Sequence, residues 1–297
     1  MEAGQPSRTA FVMALLRARH CLAAPEPKVL EDSLAATLAG VTSIADVEAW
    51  GARFADHMAG LVDRTEAEAS VAQTELLTCG RSRFMEDQLR DARARGLAQL
   101  VILGAGFDST AYRSPDLTDG LKVFEVDHPA TQSWKRQRLA EGGVALPANL
   151  SFTPFDFEHQ TLAEALAAGG VRQDRITFFS WLGVQVYLTD QAVMATLDVI
   201  GRYPAGSELV MDLATPERRP DQAAAAQASR QAVASLGEPF LTTYGREDFA
   251  GRLRDRGFGE VEMLGYPDWF ARQGERFAGR TMEPRASVLV SAKVGDR

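Results

Sequence analysis

The sequence predicts an α/β fold, a doubly wound and mostly parallel sheet preceded by a cap of helices. Three observations predict it. In residues 100–113, LVILGAGFDSTAYR, an apolar run breaks into Gly-Ala-Gly and continues into small polar residues, as a buried parallel strand must if it is to turn sharply and let a ligand approach its backbone. From residue 99 onward, strand-like runs at about 99–104, 121–127, 150–155, 175–181 and 206–213 alternate with helical segments at 128–141, 161–168 and 189–201, the rhythm of a parallel sheet with crossover helices. Before residue 99 the apolar spacing is helical throughout.

The N-terminal elements follow from that spacing. Residues 9–22 place Phe11, Leu15, Leu16 and Leu22 on a helix, and residues 50–62 do the same with Trp50, Phe54, Met58 and Leu61. A third helix, about 66–95, ends at Gly96, a residue suited to a helix stop. The expected division is a helical cap over 1–98 and a core over 99–297.

In the first strand, Val101, Ile102 and Leu103 are the apolar run of a strand covered on both faces, and Gly104 and Gly106 mark the turn. Asp108, Ser109 and Thr110 are helix N-cap types, so a short helix should follow, with a nucleotide-type ligand near its start. The dinucleotide fingerprint would place a third glycine where Ser109 stands. The next strand reads KVFEVDHP, with Glu125 and Asp127 alternating with Phe124 and Val126, and Pro129 opening a helix. An acid roughly 20 positions beyond the Gly turn is where such folds hold the two ribose hydroxyls of an adenosine.

Residues 260–264 and 286–294 lie too close for a parallel crossover and are expected to pair antiparallel, with 266–280 looping between them. The sheet is then seven-stranded with an antiparallel last strand. Residues 215–237, with alanines at 223–226, form a candidate helical lid over the substrate; a surface helix or linker fits the same composition.

The net charge of −8 disfavours nucleic acid and anionic membranes as partners and fits a small-molecule substrate. Cys21 and Cys79 are too few and too far apart for a disulfide framework, so the cytoplasm is the expected compartment. Residues 11–16 are too short for a signal core and run into Arg17, Arg19 and His20, and no apolar stretch is long enough to span a bilayer.

Seven short blocks lie in order along the chain: SRTAFVMALLRARH (7–20), KVLEDSLA (28–35), RSRFMEDQL (81–89), VILGAGFDSTAYR, FEVDHP, FTPFDF (152–157) and FFSWLGVQVYL (178–188). In these blocks and their spacing the chain resembles the class I S-adenosylmethionine-dependent methyltransferases of the leucine carboxyl methyltransferase-like group, which includes polyketide O-methyltransferases. The resemblance implies a Rossmann-like core with S-adenosyl-L-methionine as cofactor. It implies that Arg81 holds the methionine carboxylate, that Gly104 contacts the cofactor with Gly106 beside it, and that Asp127 takes the ribose. Asp156 and Phe157 would bracket the adenine, while Glu125 orients neighbouring groups and His128 borders the cofactor. Where the family carries a glutamate five residues before the tyrosine of the fourth-strand motif, this chain has Leu182 before Tyr187. That departure favours small-molecule acceptors over a phosphatase leucine.

Methyl transfer from a sulfonium is an in-line displacement that alignment and desolvation can accelerate. A hydroxyl acceptor would also benefit from a base. Of His20, His57, His128 and His159, His20 lies on the helix that the family folds over the substrate, so it is the candidate base, with Tyr187 as a candidate positioning group. No ligand spacing suggests a metal. Two other readings use the same Gly turn and acid: an NAD(P)-dependent oxidoreductase, against which Ser109 weighs, and a protein that binds S-adenosylmethionine without transferring methyl.

Overall fold

The structure is a computed structural model and describes residues 7–58, 64–157, 159–216, 227, 230, 231, 233, 234, 237–277, 280, 282 and 286–296, with backbone alone for 54–58 and 64–67. Its strands are β1 (Gln99–Leu103), β2 (Lys122–Asp127), β3 (Leu150–Pro154), β4 (Thr177–Trp181), β5 (Glu208–Ala214), β6 (Phe258–Gly265) and β7 (Ser287–Val294). Their order across the sheet is β3-β2-β1-β4-β5-β7-β6. β1 to β5 pair parallel, and β7 runs antiparallel between β5 and β6. The five parallel strands lie within one or two residues of the expected bounds. The two late segments pair antiparallel as expected, but β7 inserts beside β5 and leaves β6 at the edge.

Among the described residues four helices precede the sheet: α1 (Arg8–Ala23), α2 (Ala35–Ala39), α3 (Ile44–Met58) and α4 (Arg64–Arg93). After β1 come α5 (Thr110–Arg113) and α6 (Pro115–Thr118). Then α7 (Pro129–Glu141), α8 (Leu162–Ala168) and α9 (Asp190–Ile200) alternate with the strands. Last are α10 (Arg246–Arg254) and α11 (Tyr266–Arg272). α11 corrects the loop expected over 266–280: Pro267 opens it, and Trp269 and Phe270 gain burial with Phe277 that a solvated loop would forgo. Most of the expected lid over 215–237 lies outside the described residues.

Period-two alternation divides the core into two layers. Val101, Leu103, Phe179, Trp181, Leu209 and Met211 face one side, with α8, α9 and α10 residues such as Leu166, Leu197 and Phe249. Leu100, Ile102, Phe178 and Val210 face the other, where α4 contributes Cys79, Phe84, Met85 and Leu89 and α11 contributes Tyr266 and Trp269. α1 packs on α2, α3 and α4, and its Leu15 joins Leu38, Phe107 and Leu139 in a third cluster. The chain order reverses between β1 and β4, so a crevice opens outside the carboxyl ends of those strands. Among the described residues no helix is long and apolar enough to cross a membrane.

Candidate functional site

Gly104, Asp127 and the Asp156–Phe157 pair stand at the carboxyl ends of β1, β2 and β3, which are neighbours in the sheet. Gly104 has φ +62° and Gly106 φ +46°, the left-handed region that a side chain resists. Gly104 also has no room for one: a Cβ there would fall 2.3 Å from Val184 Cγ2. The Gly104 and Ala105 amides donate to the Val126 carbonyl at 2.7 and 3.2 Å, fastening the turn to β2. α1 lies over the turn, since a Cβ on Gly106 would come within 3.2 Å of Ala10 Cβ.

Asp127 is gripped by two backbone donors. Gly106 N–H donates to Oδ2, and His128 N–H donates to Oδ1 at 2.6 Å. Burial pushes the carboxyl above its ordinary range, and the two amides work against that shift. His128 serves this site through its backbone, because its ring caps α7, with Nδ1 accepting from Ala130 N–H at 3.2 Å. Phe157 packs edge-on against Phe155 at 4.6 Å, and Asp156 meets His159 Nδ1 at 3.0 Å on the surface.

Glu125, expected among the cofactor-site residues as a group that orients its neighbours, orients Lys135 of α7 instead. It is fully buried beneath α7, in an ion pair with Lys135 at 2.7 Å. Burial raises its carboxyl to about 7 although Lys135 pulls the other way. The alternation of β2 places Glu125 and Asp127 on one face, but Glu125 lies within the strand beside α7 and only Asp127, its last residue, reaches the crevice.

Arg81, on α4, reaches the same crevice from the other side. Its Nη1 donates to Asp212 Oδ2 at 2.9 Å, and Gly183 N–H donates to Asp212 Oδ1 at 2.5 Å. Burial alone would lower the guanidinium, but Asp212 and the neighbouring Tyr266 outweigh it and hold it raised. The loop after β4 joins the two sides, with Gly183 against Arg81 and Val184 against Gly104. Tyr187 ends that loop, near Arg81 and Thr9, with its ring 5.5 Å from Phe240. Burial pushes its phenol up to about 12, so at neutral pH it is a donor.

His20 stands apart. Its Nε2 accepts from Val29 N–H at 3.0 Å, which leaves the proton on Nδ1 for Glu75 at 3.0 Å. With both nitrogens engaged and the ring 1% exposed, His20 fastens α1 to α4 and has no lone pair for an acceptor proton. His57 lies outside the described side chains.

Sequence reasoning missed Asp212, a carboxylate among the apolar residues near the end of ELVMDLA, as Asp127 is near the end of β2. It also missed Glu238, which accepts from Arg8 and Thr9 N–H at 3.1 and 3.3 Å and clasps the start of α1 over the turn. Ser109 explains the absent third glycine. Its Oγ donates to Asp32 at 2.6 Å, Arg17 Nε donates to the same carboxylate at 2.8 Å, and Arg17 Nη2 donates to the Phe107 carbonyl at 2.6 Å. That buried network braces the turn from behind.

The sequence profile of the leucine carboxyl methyltransferases matches residues 10–201. Among curated sequences, the chain is 29% identical over 223 residues to Bacillus subtilis YktD, covering 72% of this chain and 73% of that protein. It is 29% identical over 290 residues to a protein of Mycobacterium sp. strain JLS, covering 93% and 91%. Both are named as candidate S-adenosyl-L-methionine-dependent methyltransferases. In fold it is similar to a crystal structure of a candidate methyltransferase from Thermobifida fusca, with TM-score 0.59, 17% identity and coverage of 99% and 97%. It is also similar to a DUF574 family protein from Streptomyces avermitilis, with TM-score 0.57, 16% identity and coverage of 82% and 96%.

Proposed function

The chain belongs to the leucine carboxyl methyltransferase family, and from that premise we propose that it transfers a methyl group from S-adenosyl-L-methionine to an oxygen of a small natural product such as a polyketide. The observation that carries this is the joining of Arg81 to the Gly104 turn by one loop, with Asp127 on the turn's other flank. The donor set fits the cofactor: a carboxylate with lone pairs left for two ribose hydroxyls, a guanidinium suited to a carboxylate, and a turn without Cβ atoms for close approach. In this reading residues 1–98 cap the core of 99–297, in the cytoplasm, with no nucleic-acid or membrane partner.

When bound, S-adenosylmethionine supplies an electrophilic methyl group whose sulfur leaves as a neutral thioether. The chain's part is to bind, orient and exclude water. Asp127 fixes the ribose, Asp156 and Phe157 hold the adenine by hydrogen bond and ring packing, and Arg81 fixes the amino-acid end. Gly104, Gly106 and the amide of His128 shape the floor beneath. Tyr187 donates its phenolic proton to orient the acceptor oxygen, a role that suits a group protonated at neutral pH. Leu182 replaces the family's glutamate with an apolar, half-buried side chain, which supports a small-molecule acceptor.

Calorimetry with S-adenosylhomocysteine tests the cofactor, and incubation with candidate phenols and acids, read as a mass gain of one methylene, tests the reaction. Asp127→Ala is expected to weaken S-adenosylhomocysteine about 10- to 100-fold, the loss of charge-assisted hydrogen bonds. No heat with the wild type would sink the proposal. Tyr187→Phe is expected to lower kcat about tenfold while S-adenosylhomocysteine affinity stays within about twofold. An unchanged kcat on a true acceptor would remove Tyr187 from its role.

A further inference from the structure

The Arg81 guanidinium is held on two sides. Asp212 Oδ2 takes Nη1 at 2.9 Å, and the side chains of Arg81 and Asp212 are only 12% and 11% exposed. Gly183, with φ +70°, lies so close to the guanidinium that a Cβ on it would fall 2.5 Å from Nη2 and 2.8 Å from Cζ. The other oxygen of Asp212 takes the Gly183 amide at 2.5 Å. Among the described residues, Nε and Nη2 of Arg81 have no hydrogen-bond partner. Two nitrogens, Nε and Nη2, thus remain to donate to a ligand carboxylate.

We propose that Asp212 is a positioning residue for the amino-acid end of the cofactor, acting through Arg81 and Gly183. This rests on the function proposed above. An arginine side chain has many rotamers, so a guanidinium at the tip of a helical residue binds a carboxylate well only if something else fixes its direction. Asp212 can do so because it is rooted in β5 between Met211 and Leu213, both fully buried. The same carboxylate anchors the loop that lays Val184 on Gly104 and carries Tyr187. One side chain therefore sets the separation between the amino-acid clamp and the Gly turn. Asp212 touches no reacting atom in this scheme. It need not give way to the ligand, since it occupies Nη1 and leaves the other two nitrogens.

The test compares two ligands on the full chain. S-adenosylhomocysteine carries the amino acid, whereas 5′-methylthioadenosine has the same nucleoside and thioether without it. Asp212→Asn keeps the shape and removes the charge. It is expected to weaken S-adenosylhomocysteine about tenfold or more in calorimetry while 5′-methylthioadenosine stays within about twofold. In an Arg81→Met background the Asp212 change should cost no further affinity. Asp212→Glu, which keeps the charge but moves it by one methylene, should show the same split and serves if the asparagine variant does not fold. Unchanged or tighter S-adenosylhomocysteine binding would mean that Asp212 competes with the ligand, and would overturn the proposal. Equal loss of both ligands, or additivity with Arg81→Met, would overturn it too. If the wild type bound neither nucleoside, the cofactor reading would fail first; if it bound both and Asp212→Asn left both unaffected, only this inference would fall.

Discussion

Gly104→Ala is expected to abolish measurable S-adenosylhomocysteine binding and to destabilise the fold by about 2–5 kcal/mol. Two costs add. A left-handed alanine is worse than glycine by about 1–2 kcal/mol, and overpacking typically costs about 1–3 kcal/mol more. The overpacking is specific, because the new Cβ would sit 2.3 Å from Val184 Cγ2 and Val184 must move. Val184 is not free to do so alone, since the amide of the preceding Gly183 is bonded to Asp212. Displacement would therefore pass to the Arg81 clamp and to Tyr187, both on the ligand side. Val184→Ala in the same background should recover the overpacking but not the backbone strain, leaving a deficit of about 1–2 kcal/mol. Urea denaturation of the wild type and the two variants reads the stability, and calorimetry reads the site. A Gly104→Ala protein as stable as the wild type, with equal affinity, would show that the turn does not have this geometry.

Lys135→Met is expected to cost about 3–5 kcal/mol at pH 8, because it leaves the Glu125 carboxylate buried without its cation. The pH dependence has a definite sign. Burial raises folded Glu125 from 4.5 to about 7, with Lys135 opposing the rise. The folded chain thus holds this proton more tightly than the unfolded chain. The stability that this linkage contributes is fully present below about pH 4.5 and is lost as pH rises through about 7. Without Lys135 the carboxyl moves further up, so the variant's deficit should be large at pH 8 and shrink toward pH 5, where a neutral Glu125 needs no partner. Urea unfolding at the two pH values measures this. A deficit independent of pH would indicate that Lys135 matters only for packing, for example against the Tyr112 ring 5.2 Å from its Nζ. The double variant Glu125→Gln, Lys135→Met should recover most of the loss, as apolar or neutral replacements of buried pairs commonly do.

These two sites also show where reading the sequence succeeded and where it stopped. The strand of Val101, Ile102 and Leu103 and the turn at Gly104 and Gly106 were legible because an apolar run and a left-handed turn leave local marks in composition. Asp127 was legible because its spacing from the turn follows from the length of one crossover. Glu125 was misread from the same strand: alternation says which residues share a face, and not where along that face the crevice begins. His20 was misread because its chemistry depends on Glu75 and Val29, one on a different helix and the other in a loop. The helix at Tyr266–Arg272 was missed because Trp269 and Phe270 are helical for the sake of burial against distant partners.

Local pattern along the chain suffices for the alternation of strands and helices, the doubly wound class and the glycine turn, since each rests on preferences spanning a few residues or one crossover. Packing alone brings Arg81 to Asp212 across 131 residues, inserts β7 between β5 and β6, and turns Glu125 to Lys135 while Asp127 faces the crevice. The two differ in range. Backbone propensity and hydrophobic period act between neighbours, whereas a buried charge takes its partner from whichever strand or helix packing brings beside it.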